Sequence, residues 1–245
     1  MYPILFDERY IPMILSGDKT VTRRIISKQP LVSDVADYPN CRMCCPFGSK
    51  DNILYVRERW KLTGWDWNDS KQHISYTGGE SRWMDSAIEP IMIDDEEFEA
   101  WLLREYERVV EHPSTRTVKD DASELGESYQ VDEQALPWRP GIHMPRWAAR
   151  IHLQVIDTRP IRLQDMGEAE ALKEGVIQTE SGLFVAPGLS AEWKSALEAF
   201  KQLWNHTQGV FKTHHWNDNP YVWRVEFERL PEPEATRVMA YESSY

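Results

Sequence analysis

Predicted β-strands are spread along the whole chain and do not alternate regularly with helices. The clearest strands are residues 53–60, 147–157 and 221–228, where apolar and polar side chains alternate with a period of two. Amphipathic helices fit fewer segments, such as residues 166–173 and 190–205. Because a parallel sheet requires a crossover between successive strands, this order favours an α+β fold with a mixed, mostly antiparallel sheet or small barrel and flanking helices.

The composition is that of a folded protein. With 245 residues, 41% hydrophobic side chains and 11 tryptophans, the chain can form a substantial core, which excludes global disorder. A net charge of −12 excludes a protein that coats duplex nucleic acid through bulk electrostatics. Arg23, Arg24 and Lys28 lie close together in the sequence, so a nucleic-acid contact is expected to be small, such as one nucleotide or an end.

Neither a membrane-spanning apolar run nor a signal-like N-terminus is evident, so we expect a cytoplasmic protein without a membrane partner. Cys41, Cys44 and Cys45 form one cluster, which cannot provide a disulfide framework and fits a reducing compartment. Their spacing resembles half of a zinc site, but a second ligand pair is missing, and His73 or His143 would have to contribute through space. Incidental thiols are the preferred interpretation, and neither a metal nor a cofactor is expected.

Residues 16–24 contain a lysine, two threonines and two arginines around one glycine. A short helix over residues 7–15, capped by its first aspartate, is predicted to end at Gly17 in the left-handed conformation. The β-branched residues 20–22 are expected to begin a strand. A turn supported on both sides can hold Lys19 and the hydroxyls in place for binding or chemistry, although an exposed basic turn is also ordinary surface.

The middle of the chain predicts less regular structure. The aromatic residues between positions 65 and 83 could stack on a base, but anchoring an irregular insertion to the core is the favoured interpretation. Residues 94–111 predict an amphipathic helix. Residues 111–134 are acidic and without periodicity, which predicts a mobile loop, and residues 231–245 predict a flexible C-terminal tail.

Several motifs together resemble the ASCH family, a branch of the PUA-like superfamily. They are residues 17–24 (GDKTVTRR), 53–60 (ILYVRERW), 163–166 (LQDM) running to 174–176 (EGV), and 219–227 (NPYVWRVEF). Residues 143–147 (HMPRW) are further similar to the long ASCH proteins of phages and prophages. The resemblance implies one ASCH domain over residues 1–230, with a PUA-like, mostly antiparallel β-barrel, flanking helices and a large acidic insertion at about 62–136.

The resemblance also implies recognition of a nucleoside or RNA in a cleft of the barrel. Small bacterial members of the family are amidohydrolases that remove the acyl group from N4-acetylcytidine. Their catalytic positions are a lysine, a threonine three residues later, and a glutamate at the end of the helix after the long strand. In this chain these positions correspond to Lys19, Thr22 and Glu174.

The three residue types suit amide hydrolysis, which requires an activated nucleophile, a proton carrier and donors to an oxyanion. Thr22 offers the hydroxyl, and a desolvated Lys19 beside Arg23 or Arg24 can serve as its base. Glu174, if buried in an apolar cleft, can stay protonated and donate to the departing amine. Arg24 can hold a phosphate, a carbonyl oxygen or a carboxylate.

Weaker ligand-binding candidates are Arg57, Glu58, Trp60, His143 and Arg146. Arg57 and Glu58 are placed at a cleft mouth, and Trp60 is equally suited to stacking on a base or to packing. His143 and Arg146 lie in a proline-rich turn, which fits a binding loop or a plain corner.

Three functional hypotheses remain open. The first is binding of a nucleoside or nucleotide unit, with hydrolysis of N4-acylcytidine as its enzymatic form. The second is a non-catalytic phage or prophage module whose acidic, tryptophan-rich insertion binds another protein. The third is a ribonuclease, an activity known among family relatives, although the sequence has no clustered acidic metal site to support it independently.

Overall fold

The structure is a computed structural model, and the part of the chain that it describes comprises residues 1–30, 45–66, 71–85, 116–119, 127–130, 137–208 and 214–231, with the single positions 35, 38, 104, 107 and 111. The chain divides into two compact units. Unit 1 consists of Met1–Tyr55 and Ile151–Leu230, and unit 2 of Val56–Arg150 and Pro231–Tyr245.

The described strands are β1 (Tyr2–Leu5), β2 (Val21–Ile25), β3 (Ile53–Arg57), β4 (Trp60–Asp66), β5 (Lys71–Tyr76), β6 (Ser81–Asp85), β7 (Arg116–Lys119), β8 (Glu127–Gln130), β9 (His152–Arg162), β10 (Ile177–Gln178), β11 (Phe184–Val185) and β12 (Tyr221–Arg229). The described α-helices are α1 (Ile11–Ser16), α2 (Glu168–Lys173) and α3 (Ala196–Gln208). Short 3-10 helices cover Glu8–Tyr10, Gly141–His143, Arg146–Ala148 and Trp216–Asp218.

Unit 1 is built on a five-stranded sheet with the strand order β1-β3-β9-β12-β2. β12 pairs antiparallel with both β9 and β2, and β9 pairs antiparallel with β3. A bulge between Glu226 and Phe227 shifts the β12–β9 register by one residue. Helices α2 and α3 bury Ala171, Phe200 and Trp204 in one core cluster with Val222 of β12. The long paired strands β9 and β12 therefore form the centre of this unit.

The predicted helix over residues 7–15 is present as two consecutive pieces, the 3-10 helix Glu8–Tyr10 and α1. The Asp7 carboxylate accepts a hydrogen bond from the backbone N–H of Arg9, which confirms the predicted cap. Gly17 ends α1 at φ +83°, in the left-handed region. The chain then enters β2, as the β-branched residues predicted.

Unit 2 contains a second antiparallel sheet, with the order β6-β5-β4-β8-β7. The prediction of an irregular insertion was therefore wrong for β4, β5 and β6, and that of a loop over residues 111–134 was wrong at β7 and β8. These five strands are stabilised by pairing with one another, which local composition does not reveal.

Several element boundaries differ from the predictions. The single strand predicted over residues 53–60 is two strands, β3 and β4, because the chain leaves the ladder at Glu58 and Arg59. The long strand begins at His152, since the preceding 3-10 turn occupies Arg146–Ala148. α3 begins at Ala196, where the Glu168 carboxylate accepts from the N–H groups of Ala196 and Leu197.

The α+β class with mostly antiparallel sheets is confirmed. Over the described residues, each five-stranded sheet has two edge strands, so the closed PUA-like barrel stays a prediction, as does the single domain over residues 1–230. The predicted helix at 94–111 lies largely, and the predicted tail at 231–245 almost entirely, outside the described residues. No described helix has the length and apolar character needed to cross a membrane.

Candidate functional site

Lys19 lies in the turn between α1 and β2 and is 3% exposed. Its ammonium Nζ donates to three oxygen atoms: the Val21 carbonyl at 2.8 Å, the Glu174 carbonyl at 2.6 Å and Glu174 Oε2 at 2.9 Å. An ammonium group has three donors, so all of them are engaged in this conformation. The turn thus directs a buried cation at the C-terminal end of α2.

Glu174 caps the C-terminus of α2 and is 5% exposed. The following Gly175 has φ +102°, which turns the chain away from the helix. The backbone N–H of Thr20 donates to the carbonyl of Lys173 at 3.1 Å, and so ties the helix end to the start of β2. These local features bring residues 155 positions apart into contact.

Glu174 also binds a second cation. Its Oε1 accepts from Nη1 of Arg23 at 3.0 Å, while Oε2 accepts from Lys19. Nη2 of Arg23 continues the network to Glu170 Oε2 at 2.9 Å, one helical turn before Glu174. Each oxygen of the Glu174 carboxylate therefore has a cationic donor, which is the arrangement of an ionised carboxylate.

The electrostatic environment shifts the pKa values of neighbouring groups. Burial lowers the pKa of Lys19, and the contact with the Glu174 carboxylate opposes that shift. Burial, aided by the charge of Glu174, raises the pKa of Tyr10 to about 12. The Lys19 ammonium lies 4.9 Å from the centre of the Tyr10 ring, within cation–π range.

A cavity of about 210 Å³ opens beside this network. Its lining combines charged and polar side chains with aromatic and aliphatic ones. Its lining residues are Leu5, Phe6, Asp7, Arg9, Tyr10, Lys19, Thr22, Arg23, Arg24, Glu174, Phe200, Leu203, Trp204 and Thr207. All of them belong to unit 1.

Five of the sequence-predicted site residues therefore line one cavity: Lys19, Thr22, Arg23, Arg24 and Glu174. Thr22 is on β2 and is 4% exposed. Although Lys19 and Thr22 line the same cavity, no hydrogen bond joins the Lys19 ammonium to the Thr22 hydroxyl. The predicted nucleophile and base thus line the same cavity without a hydrogen bond between them.

Arg24 differs from Arg23 in its partners. Its Nη2 donates to the backbone carbonyl of Leu5 at 2.6 Å, and its guanidinium lies 5.1 Å from the centre of the Phe6 ring. Burial lowers the pKa of Arg24. Among the described residues, no carboxylate forms an ion pair with it.

The other predicted ligand-binding residues lie in unit 2, and none of them lines the cavity. Trp60 is fully buried, so its ring cannot stack on a base, and packing is its role. Glu58, 1% exposed, binds Arg150 through two hydrogen bonds of 2.8 and 2.9 Å. It is thus a buried structural ion-pair partner. Arg57 donates to the Ile142 carbonyl at 3.3 Å.

His143 is exposed and Arg146 is half-buried, each in a short 3-10 helix of unit 2. Of the predicted cysteine cluster, Cys45 lies within the described residues, where burial raises its pKa to about 11. Cys41 and Cys44 lie outside them. A search of the described residues found no group of three His, Cys, Asp or Glu side chains placed to hold a metal ion.

Sequence reasoning missed Glu170, Arg224 and Tyr10. Arg224 on β12 is the direct cross-strand neighbour of Arg23, and Glu170 accepts hydrogen bonds from both. The spacing of Glu170 four residues before Glu174 places both on one face of α2, which a search for helical spacing could have found. Arg224 and Tyr10 depend on strand register and packing, which no local pattern indicates.

Comparisons of the chain with protein-family models, with curated proteins and with solved structures found no match. The identification of the candidate site therefore rests on its geometry and on the sequence motifs.

Proposed function

We propose that the unit 1 cavity binds one nucleoside or nucleotide unit, and that its substrate is a cytidine acylated on the exocyclic amine, which it hydrolyses to cytidine. One observation carries this proposal. Lys19 and Thr22, from one segment, and Glu174, about 150 residues later, line the same cavity, and Lys19 and Glu174 are in direct contact. Between them they can supply the nucleophile, the base and the proton carrier that hydrolysis of an amide uses.

The dimensions of the cavity support a small ligand. Its volume of about 210 Å³ is below the roughly 300–1,000 Å³ of sites that hold drug-sized molecules. Phe6, Tyr10 and Trp204 provide apolar surface for a ring, and the same lining also contains charged groups. This combination suits one heterocyclic base with a polar substituent.

In the proposed reaction the Thr22 hydroxyl oxygen attacks the acyl carbonyl carbon, and the amide C–N bond breaks to release cytidine. Lys19 passes one proton to Glu174, 2.9 Å away, and then accepts the proton of Thr22. Glu174 gives its proton to the departing amine. Water hydrolyses the acyl-threonine and restores the enzyme, so the sum is amide plus water giving amine plus carboxylic acid.

The lowered pKa of Lys19 supports its part in this transfer. The step also requires a hydrogen bond between Lys19 and Thr22 that forms when substrate binds, since catalytic contacts are often longer in the free enzyme. Because all three donors of Lys19 are engaged without substrate, binding of the same ligand without hydrolysis is the second candidate function.

Hydrolysis is tested by incubating the pure protein with N4-acetylcytidine and separating cytidine by chromatography. Thr22→Val removes the hydroxyl and keeps the β-branched shape, and Thr20→Val is the matched control two residues earlier on the same segment. We expect the wild type and Thr20→Val to release cytidine, and Thr22→Val to be slower by at least about 100-fold.

Absence of turnover by the wild type, with acetyl and longer acyl groups, would exclude the hydrolase. Calorimetric titration with cytidine, acetylcytidine and a short RNA at low salt then decides on binding, because electrostatic attraction is strongest there. No heat and no thermal shift with any of them would reject both candidate functions.

The same proposal includes the PUA-like barrel for unit 1, the cytoplasmic location and the phage or prophage type. The mostly antiparallel β1-β3-β9-β12-β2 sheet with α2 and α3 packed against β12 supports the barrel architecture. The protein-interaction and ribonuclease hypotheses remain predictions, because no contact in the described part of the chain favours either.

A further inference from the structure

Most cations that line the cavity have a carboxylate partner. Lys19 pairs with Glu174 at 2.9 Å, Arg23 with Glu174 at 3.0 Å, and Arg9 with Asp7 at 2.7 Å. In contrast, Arg24 forms no ion pair with a carboxylate among the described residues, although the charge of Glu174 acts on it at longer range, and its single hydrogen bond there is the one to the neutral carbonyl of Leu5. The four cations of the lining face two carboxylates, so the cavity has a positive excess.

This excess is unusual for the chain, which has 28 basic and 40 acidic residues and a net charge of −12. Arg24 is half-buried, and its Nε is buried without a hydrogen-bond partner among the described residues. A guanidinium removed from water without a directly paired carboxylate is costly, and the cost falls when an anion binds to it. Burial accordingly lowers the pKa of Arg24, and the more distant charge of Glu174 offsets that shift only in part.

The position of Arg24 also favours a ligand over a structural role. Its guanidinium lies over the Phe6 ring, 5.1 Å from the ring centre, and its Nη2 is fixed by Leu5, so it is held at the wall of the cavity. A planar guanidinium whose further N–H donors have no acceptor among the described residues matches the oxygens of a phosphate group.

We infer that the ligand of this cavity is anionic, and that Arg24 binds the phosphate group of a nucleotide. This inference rests on the proposed function for the base, and it replaces a free nucleoside with a nucleoside monophosphate or the terminal nucleotide of an RNA as the natural ligand. Arg24 is then a specificity-determining residue that selects phosphorylated over neutral ligands.

The test compares the dissociation constants of cytidine, cytidine 5′-monophosphate, cytidine 3′-monophosphate and a short RNA, measured by calorimetry at low salt. Inorganic phosphate is titrated as a separate probe. The variants are Arg24→Met, which removes the charge, and Arg24→Lys, which keeps it. Arg159→Gln is the control, because Arg159 is an exposed arginine of the same unit that does not line the cavity.

We expect the wild type and Arg159→Gln to bind at least one monophosphate tenfold or more tightly than cytidine, as a charge-assisted contact provides. Arg24→Met should bind cytidine and its monophosphates with equal affinity. Arg24→Lys should keep part of the preference for the monophosphate. A preference for the 5′- or the 3′-monophosphate over the RNA indicates a free nucleotide, and the reverse indicates an RNA end. Circular dichroism and melting curves establish that each variant is folded.

Equal affinity for cytidine and its monophosphates in the wild type would overturn the inference and leave the nucleoside proposal intact. A preference that persists in Arg24→Met would overturn it as well. If none of the cytidine compounds binds, the nucleoside proposal fails. The titration with inorganic phosphate then tests whether the cavity is an anion site. Phosphate binding that Arg24→Met abolishes would still support an anion site, and its absence would reject one.

Discussion

Arg23 on β2 and Arg224 on β12 are direct cross-strand neighbours, and one carboxylate, that of Glu170, accepts hydrogen bonds from both. Like charges opposite each other destabilise a sheet unless an acid neutralises them. Arg23 also reaches Glu174, which contacts Lys19. The Arg23–Arg224 pair therefore connects β12 to the residues that line the cavity.

Glu170→Gln should destabilise unit 1 by about 2 kcal/mol, because it removes the charge between two buried arginines. The value is below the roughly 3–5 kcal/mol lost on breaking a fully buried pair, since the Glu170 side chain is 24% exposed. Urea denaturation at pH 7 measures the change. Glu180→Gln, an exposed acid of the same unit, is the control and should change stability by less than about 0.5 kcal/mol.

The contribution of Glu170 should depend on pH. Hydrogen bonds from Arg224 and Arg23 lower its pKa from 4.5 to about 2. Because the folded-state pKa is below the unfolded one, the stabilisation is complete above about pH 5 and is lost as the pH falls towards 2. The difference in unfolding free energy between wild type and Glu170→Gln should therefore shrink over this range. A difference that stays constant from pH 7 to pH 2.5 would contradict the assignment.

Much of unit 1 could be predicted from local patterns. Alternation identified β12 and most of β9, and Gly17 marked the end of α1 because a left-handed residue there favours glycine. Lys19 and Glu174 were placed together through the family motifs, and the structure brings them into contact. Local conformational preference and spacing were sufficient for these features.

The remaining features depend on contacts between distant residues. The break after β3 contains Glu58, which forms a buried ion pair with Arg150, 92 residues away, and the alternation of apolar and polar residues gives no sign of this break. The pairing of Arg23 with Arg224 requires the register of β12. Tertiary pairing likewise determines β7 and β8, whose acidic surroundings predicted a loop.

Gly188→Ala should release Arg9 from its place beside the cavity. Gly188 has φ +83°, and an added Cβ would occupy the position of Arg9 Nη1. Gly17→Ala is a matched control, because Gly17 has the same φ and open space around it. Both variants should lose about 1 kcal/mol of stability through the left-handed backbone.

The two glycine variants should differ at Asp7. Its hydrogen bonds with Arg9 lower the Asp7 pKa in the wild type. An NMR titration should show that pKa rising towards 3.8 in Gly188→Ala and unchanged in Gly17→Ala. An unaltered Asp7 pKa in both variants would show that Arg9 keeps its contact with Asp7 even when a Cβ is present at position 188.

Unit 2 offers a comparison of two acids that bind the same arginine. Glu58 and Glu80 both contact Arg150, but Glu58 is 1% exposed and the Glu80 side chain is 40% exposed. Glu58→Gln leaves the buried guanidinium without its buried charge partner, with only the exposed Glu80 remaining, and should cost about 3–5 kcal/mol, whereas Glu80→Gln should cost less than about 1 kcal/mol. Hydrogen exchange of the β4 and β5 amides, compared with those of β12, measures the loss within unit 2. Equal effects of the two substitutions would show that burial does not set the strength of these ion pairs.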